Sequence, residues 1–250
     1  MSYFSCLLIG PPGCGKTTAA TTAPGPVLFL DMDAKLHKMS NIQDKLKSGQ
    51  IIQWTPEEKL FQGTLTNFIS SATNPQAKYA QQRAMGYMKL GQVIDELEVS
   101  GCKYKGVKVG TVVLDTFTST EEHLKRLLMS ANGVATISQP LWGTILTNYE
   151  NLLSVLLRLQ ANVIVIAHQM VEKDELTGSI TYKPLIGGQM KEKIGKEFEE
   201  VYFLEKTIIG DKASYKMLTL GTTMKECRTS RVIPPVVEPD FTKLYGGQNA

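Results

Sequence analysis

Histidine is scarce in this chain and cysteine nearly so, with three and four among 250 residues. Cys6, Cys14, Cys102 and Cys227 form no Cys-x-x-Cys pair and do not cluster with His37, His123 or His168. That spacing argues against a structural metal site and for reduced thiols in a cytosolic compartment. An excess of one charge is also missing: 27 Lys and Arg against 24 Asp and Glu leave a formal net charge of +3. Such a balance permits a nucleic-acid partner through a local patch but does not require one. Long apolar runs are absent as well. The stretch Leu152 to Ala167 is broken by Ser154, Arg158, Gln160 and Asn162, short of the roughly 20 apolar residues of a membrane span. The apolar start, Tyr3 to Ile9, has no basic residue before it and stops at a glycine, unlike a secretory leader. A soluble, cytoplasmic protein with no membrane partner is expected.

What remains is an ordinary globular composition, 42% hydrophobic and 20% charged, long enough to bury a large core. One domain is expected over residues 1–233, with the proline-rich 234–250 as a loosely held tail. Apolar runs that read as strands occur at Tyr3 to Ile9, Val27 to Asp31, 51 to 54, Val109 to Asp115, Asn162 to Ala167, Val201 to Lys206 and Ser214 to Leu220. Helical patterns occupy Leu60 to Ser71, Gln76 to Val99, Ser119 to Ser130 and Leu141 to Leu159. Thr118 or Ser119 is the expected cap of the third. Strands alternating with helices imply an α/β fold with a mainly parallel central sheet and helices on both faces. Residues 171–190 read as a polar, glycine-punctuated loop.

The segment Gly10-Pro11-Pro12-Gly13-Cys14-Gly15-Lys16-Thr17 satisfies every fixed position of GxxxxGK[ST] and lies between a strand and a helix, the context that gives this motif its meaning. Glycines let successive amides curl toward phosphate oxygens, and the following helix adds its positive end. Lys16 is expected to reach the β and γ phosphates and Thr17 to place its hydroxyl on Mg²⁺. Gly10 through Thr18 are therefore the candidate nucleotide-binding residues, with ATP and Mg²⁺ as cofactors. Cys14 fills a variable position. Asp115 ends the buried run Thr-Val-Val-Leu-Asp, where an open α/β sheet presents its ligand crevice; it can hold Mg²⁺ through water or simply cap the next helix. Thr116 follows it where many ATPases carry a glutamate, so a base must come from elsewhere.

Phe29-Leu30-Asp31-Met32-Asp33 emerges at the same edge and resembles the RecA-like recombinase core, in which the matching strand ends in a glutamate that activates water. The resemblance implies Asp33 as the base, one methylene short, with a solvated turn as the alternative. His168-Gln169 resembles the polar residue that contacts the γ-phosphate in those proteins, with a structural histidine at a strand end as the alternative. The run from His168 to Gly178, Tyr182 to Gly188, and Leu141-Trp142-Gly143-Thr144 are similar to the phage nucleotide-binding proteins of the Sak-type single-strand annealing group. That likeness implies a RecA-like P-loop NTPase fold and an ATPase of phage recombination or annealing. Its implied partners are single-stranded DNA, further copies of the chain in a ring or filament, and a recombination protein. It further implies DNA contacts at Lys173, Tyr182, Lys183 and Lys191, against an ordinary surface hairpin. A cation crossing to a neighbour's γ-phosphate is implied among Lys225, Arg228 and Arg231, against plain surface charge. Competing readings are an AAA-type remodelling or loading ATPase, a small-molecule kinase and a nucleotide-gated scaffold. No NKxD guanine-reading motif is present.

Overall fold

The computed structural model describes residues 3–56, 85–134 and 136–245. The helix expected at Leu60 to Ser71 lies outside them, as do residues 76–84 of the next. The chain opens with β1 (Ser5–Gly10), α1 (Lys16–Ala20), β2 (Val27–Asp31), α2 (Gln43–Lys47) and β3 (Ile51–Trp54). After α3 (Gly86–Val99), a small hairpin of β4 (Lys103–Tyr104) and β5 (Val107–Lys108) leads into β6 (Thr111–Asp115). Two long helices follow, α4 (Phe117–Asn132) and α5 (Gln139–Leu157), then β7 (Asn162–Lys173), β8 (Ile180–Pro184) and α6 (Met190–Lys193). The chain ends with β9 (Glu200–Ile209), β10 (Lys212–Leu218), β11 (Val236–Val237) and α7 (Phe241–Tyr245).

Among the described residues the main sheet runs β11-β10-β9-β1-β7-β6-β2-β3, with β8 paired to β7. From β9 to β3 the pairing is parallel, and β8, β10 and β11 join antiparallel. The central strands β1, β2, β6 and the first half of β7 are continuously apolar and buried on both faces, as parallel strands covered by helices are. Alternation in β1 divides its side chains between two cores. Leu7 and Ile9 pack with Val112, Leu114 and Val165 under α3, α4 and α5. Cys6 and Leu8 pack with Ile164 and Ile166 under Ala19 and Ala20 of α1 and Phe241 and Tyr245 of α7.

Register then sets the site. Gly10 pairs with His168 and Asp31 with Asp115, so the phosphate loop, both carboxylate strand ends and the histidine meet at one edge.

Three sequence expectations are corrected. The cap of α4 is Thr116, whose Oγ1 accepts from the Ser119 amide at 3.0 Å; Thr118 and Ser119 already lie inside the helix. Residues 171–190 are not simply a loop. β7 runs on to Lys173 and pairs with β8, a polar pairing with no apolar alternation to reveal it. The final segment is not loosely held over 236–245: β11 pairs with β10, and Phe241 and Tyr245 are buried. Tyr245 stacks on Phe4 with ring centroids 3.8 Å apart.

Candidate functional site

β1 stops at Gly10 because nothing larger fits: a Cβ there would lie 2.7 Å from both the Cys14 Sγ and the Leu204 carbonyl oxygen. Gly15 sits at φ +91°, a left-handed conformation that glycine adopts without strain. Between them the loop folds so that Lys16 turns back over it. Its Nζ donates to the Gly10 and Pro11 carbonyls, both at 2.8 Å. Burial pulls the Lys16 pKa below the ordinary lysine value, with Cys14 and Asp115 opposing the shift. The amides of Gly15, Thr17 and Thr18 have no backbone acceptor among the described residues, as expected for the first turn of a helix awaiting an external one, while the Lys16 amide faces the Cys14 sulfur. Cys14 itself is buried.

Thr17 Oγ1 donates to Asp115 Oδ2 at 2.7 Å. Burial pushes the Asp115 carboxyl up to about 6, the neighbouring Asp31 and Asp33 charges add to it, and the Thr17 hydrogen bond and Lys16 oppose it. Both groups present hard oxygen donors, the set Mg²⁺ prefers, and that ion keeps several waters and completes its shell with phosphate oxygens. Among the described residues no group of three or more His, Cys, Asp or Glu side chains could hold a metal ion; Thr17 and Asp115 would hold one only together with phosphate oxygens and water. When bound, that ion supplies charge neutralisation to the β and γ phosphates.

Asp31 is not a solvated turn residue: it is 3% exposed, and its Oδ2 accepts from the Leu36 amide and Gln53 Nε2, each at 2.7 Å. Asp33 keeps a different environment. Ser119 Oγ donates to its Oδ1 at 2.6 Å and Lys35 Nζ lies 3.2 Å from its Oδ2. His168 Nδ1 lies 3.4 Å from Lys16 Nζ. Partial burial and then the Lys16 charge lower the His168 pKa, with Asp33 opposing and Lys35 assisting. The His168 amide donates to Thr118 Oγ1, which donates onward to the Leu185 carbonyl, each at 3.1 Å. Thr118 thereby ties the histidine to the chain beyond β8.

Lys16, Thr17, Asp33, Asp115 and His168 line one cavity of about 1130 Å³, together with Pro12, Gly13, Gly15 and Thr18. Thr22, Tyr215 and Asp240 line it too, and none of them stands out in the sequence by motif. Ser119 was equally unmarked except as a helix cap. The remaining candidates lie elsewhere. Arg228 Nη2 donates to the Gly195 carbonyl at 2.8 Å and to that of Phe198. Arg231 places its guanidinium 3.9 Å from the Tyr245 ring centroid. Tyr182, Lys183, Lys191 and Lys225 line a separate cavity of about 310 Å³. There Lys183 pairs with Glu172 and Glu192, and Lys191 with Glu172. Lys173 stands at the exposed end of β7, across from Ile180.

With this geometry in hand, comparison with known proteins places the chain. The profile of a family described as an AAA domain matches residues 2–227. No curated protein matches it in sequence. Solved structures that match the chain include the flagellar accessory protein FlaH of Methanocaldococcus jannaschii, at 11% identity over 87% of this chain and 77% of that one, TM-score 0.45. A KaiC-like protein of Pyrococcus horikoshii OT3 matches at 16% identity over 94% and 88%, TM-score 0.43. An ATPase from the type III secretion system of pathogenic bacteria matches at 10% identity over 81% and 52%, TM-score 0.46. The fold class is the expected α/β type, a mainly parallel central sheet with packed helices on both faces. Among the described residues no helix is long and apolar enough to cross a membrane.

Proposed function

The chain belongs to the AAA-domain family, and we propose that it is a Mg²⁺-dependent ATPase acting on single-stranded DNA as a homo-oligomer, in phage-type recombination or strand annealing. The observation that carries the ATPase reading is the convergence of Lys16, Thr17, Asp115, Asp33 and His168 on one cavity. Each group has a task there. The loop amides and Lys16 bind the phosphates, and on binding Lys16 exchanges the Gly10 and Pro11 carbonyls for anionic oxygens. Thr17 and Asp115 hold the ion. Asp33, fixed through one oxygen by Ser119, orients water and takes its proton, and His168 responds to the γ-phosphate.

The DNA reading is supported by the β7–β8 hairpin. It follows His168 directly, and Lys183 and Lys191 sit beside Tyr182, a pairing of cations and aromatic that suits a single strand. Their present partners, Glu172 and Glu192, must yield to phosphates. A remodelling or loading ATPase is the second reading, favoured by the description of the matching family; Thr116 in place of a glutamate weighs against it.

Turnover of ATP, measured with and without single-stranded DNA on wild type and Lys16→Ala, tests both. Wild type is expected to hydrolyse ATP faster with DNA. Lys16→Ala is expected to be inactive and to bind ATP at least about tenfold more weakly. Hydrolysis insensitive to DNA but stimulated by a protein substrate would move the assignment to the second reading.

A further inference from the structure

The cavity is larger than a triphosphate tail requires. At about 1130 Å³ it exceeds the roughly 300–1,000 Å³ of pockets that enclose a drug-sized ligand. Its walls also differ in character. One side is the phosphate loop; the other is built by the start of β10 and the turn Glu238 to Asp240, which lies beyond residue 227, where the family match ends.

We propose that this second wall is the subsite for the nucleoside, with Tyr215 against the base and the Asp240 carboxylate toward the ribose hydroxyls. The proposal rests on the phosphate-loop reading above. Tyr215 is an aromatic ring left 39% exposed beside the loop: a Cβ built on Gly15 would lie 3.3 Å from it. The ring lines the same cavity as Gly15 and Lys16, within reach of a base continuing from phosphates held there, and a partly open ring offers the π-surface on which any base can rest. Asp240 uses Oδ1 to accept from the amides of Thr242 and Lys243. Its Oδ2 accepts from no donor among the described residues, and a carboxylate oxygen is the natural acceptor for a vicinal diol.

The wall is tied to the loop's own helix. The Phe241 amide donates to Thr22 Oγ1 and Thr242 Oγ1 donates to the Thr22 carbonyl, both at 2.7 Å, and Thr22 lies just past α1. Phe4, immediately ahead of β1, stacks with Phe241 and Tyr245. Phosphate and nucleoside subsites are thus parts of one packed unit, and the chain end is the piece that closes the second.

Calorimetric titration of the full chain with MgATP and with magnesium tripolyphosphate separates the two subsites. Wild type is expected to bind both. Tyr215→Ala is expected to lose about tenfold or more in ATP affinity with tripolyphosphate binding unchanged, and Tyr215→Phe to keep both. Equal weakening of both ligands in Tyr215→Ala makes the ring a mere support for Gly15 and overturns the proposal, as does unchanged ATP affinity. Failure of wild type to bind either ligand overturns the phosphate-loop reading itself and this wall with it.

Discussion

Ser119 holds Asp33 from a helix 86 positions away in sequence: its hydroxyl donates to the Asp33 Oδ1 at 2.6 Å. The same hydroxyl shares a contact of 2.9 Å with Thr116 Oγ1, so the residue that caps α4 also orders the group that orders Asp33. One carboxylate oxygen is thereby committed and the other lies toward Lys35. If Asp33 is the proposed base, one methylene shorter than the glutamate of the RecA-like recombinases it resembles, such anchoring replaces reach with orientation.

Asp33→Asn is accordingly expected to lower kcat by about 10²–10⁴-fold, the usual worth of a general base, while ATP affinity by calorimetry holds. Ser119→Ala acts through Asp33 as a positioning loss. A fall in kcat with KM for ATP unchanged, restored by Ser119→Thr, is the expected signature. A structural role alone predicts parallel loss of stability and no rescue of rate.

His168 gives the nucleotide-free protein a pH dependence. Its folded pKa lies below the ordinary 6.5 through burial and Lys16, so the unfolded chain binds the proton more readily. Stability contributed by the neutral ring is complete above that ordinary value and is lost as pH falls through the lower folded value. Lys16, Asp33 and Lys35 are the charges facing it; Asp33 limits the effect and the two lysines enlarge it. Thermal unfolding between pH 7.5 and 5 is expected to show a steeper decline for wild type than for His168→Gln. Superimposable curves remove His168 as the source.

Much of this was legible because parallel-sheet chemistry writes itself plainly. Val27 to Asp31 matches β2 residue for residue, and the strand expected over Asn162 to Ala167 is the buried first half of β7, since strands covered on both faces must be continuously apolar. The phosphate loop was legible for a different reason: its glycines and lysine are demanded by backbone geometry and charge at fixed spacing. The chain end was not. Phe241 and Tyr245 are spaced four apart behind Asp240, a helix start in miniature, but five residues carry too little periodicity to outweigh the surrounding prolines and glycines. The contacts of Ser119 with Asp33 and of Tyr215 with Gly15 are tertiary, and no local pattern encodes them.

Lys183 and Lys191 are held by Glu172 and Glu192, and these partly exposed pairs cost little to exchange for phosphate. If the hairpin carries single-stranded DNA, the double substitution Lys183→Ala with Lys191→Ala should weaken DNA binding and reduce the slope of log affinity against log salt by about 0.7 for each phosphate no longer neutralised. Basal ATP hydrolysis without DNA is expected to persist. Fluorescence anisotropy across a salt series measures both the affinity and the slope, and an unchanged slope excludes these lysines from the interface.

Arg228 and Arg231 are already engaged within their own chain, which separates two roles that substitution can expose. Arg228 braces the carbonyls of Gly195 and Phe198, so Arg228→Ala is expected to lower the melting temperature whatever its catalytic part. Arg231 lies over the Tyr245 ring and 3.9 Å from the buried Glu200. If one of them, rather than Lys225, makes a trans contact to a neighbour's γ-phosphate, removing it is expected to cut DNA-stimulated turnover by about 10³–10⁵-fold with ATP binding retained. Turnover that survives both alanine substitutions removes the trans role from this pair.

Phe241 is fully buried between the sheet and Phe4, and its amide fastens the chain end to Thr22. Phe241→Ala is therefore expected to destabilise the protein by about 3–5 kcal/mol, which for a chain of this size lowers the melting temperature by about 2–4 °C per kcal/mol. Undocking of α7 removes the Asp240 side of the cavity but leaves the phosphate loop in place, so the variant should retain tripolyphosphate binding below its lowered melting temperature while ATP binding weakens. Stabilisation by ATP, read as the shift in melting temperature on adding MgATP, should then shrink relative to wild type, because a ligand at free concentration L stabilises by RT ln(1 + L/Kd), which falls as Kd rises. An ATP-induced shift as large as that of wild type would show that the chain end packs on the core without taking part in the site.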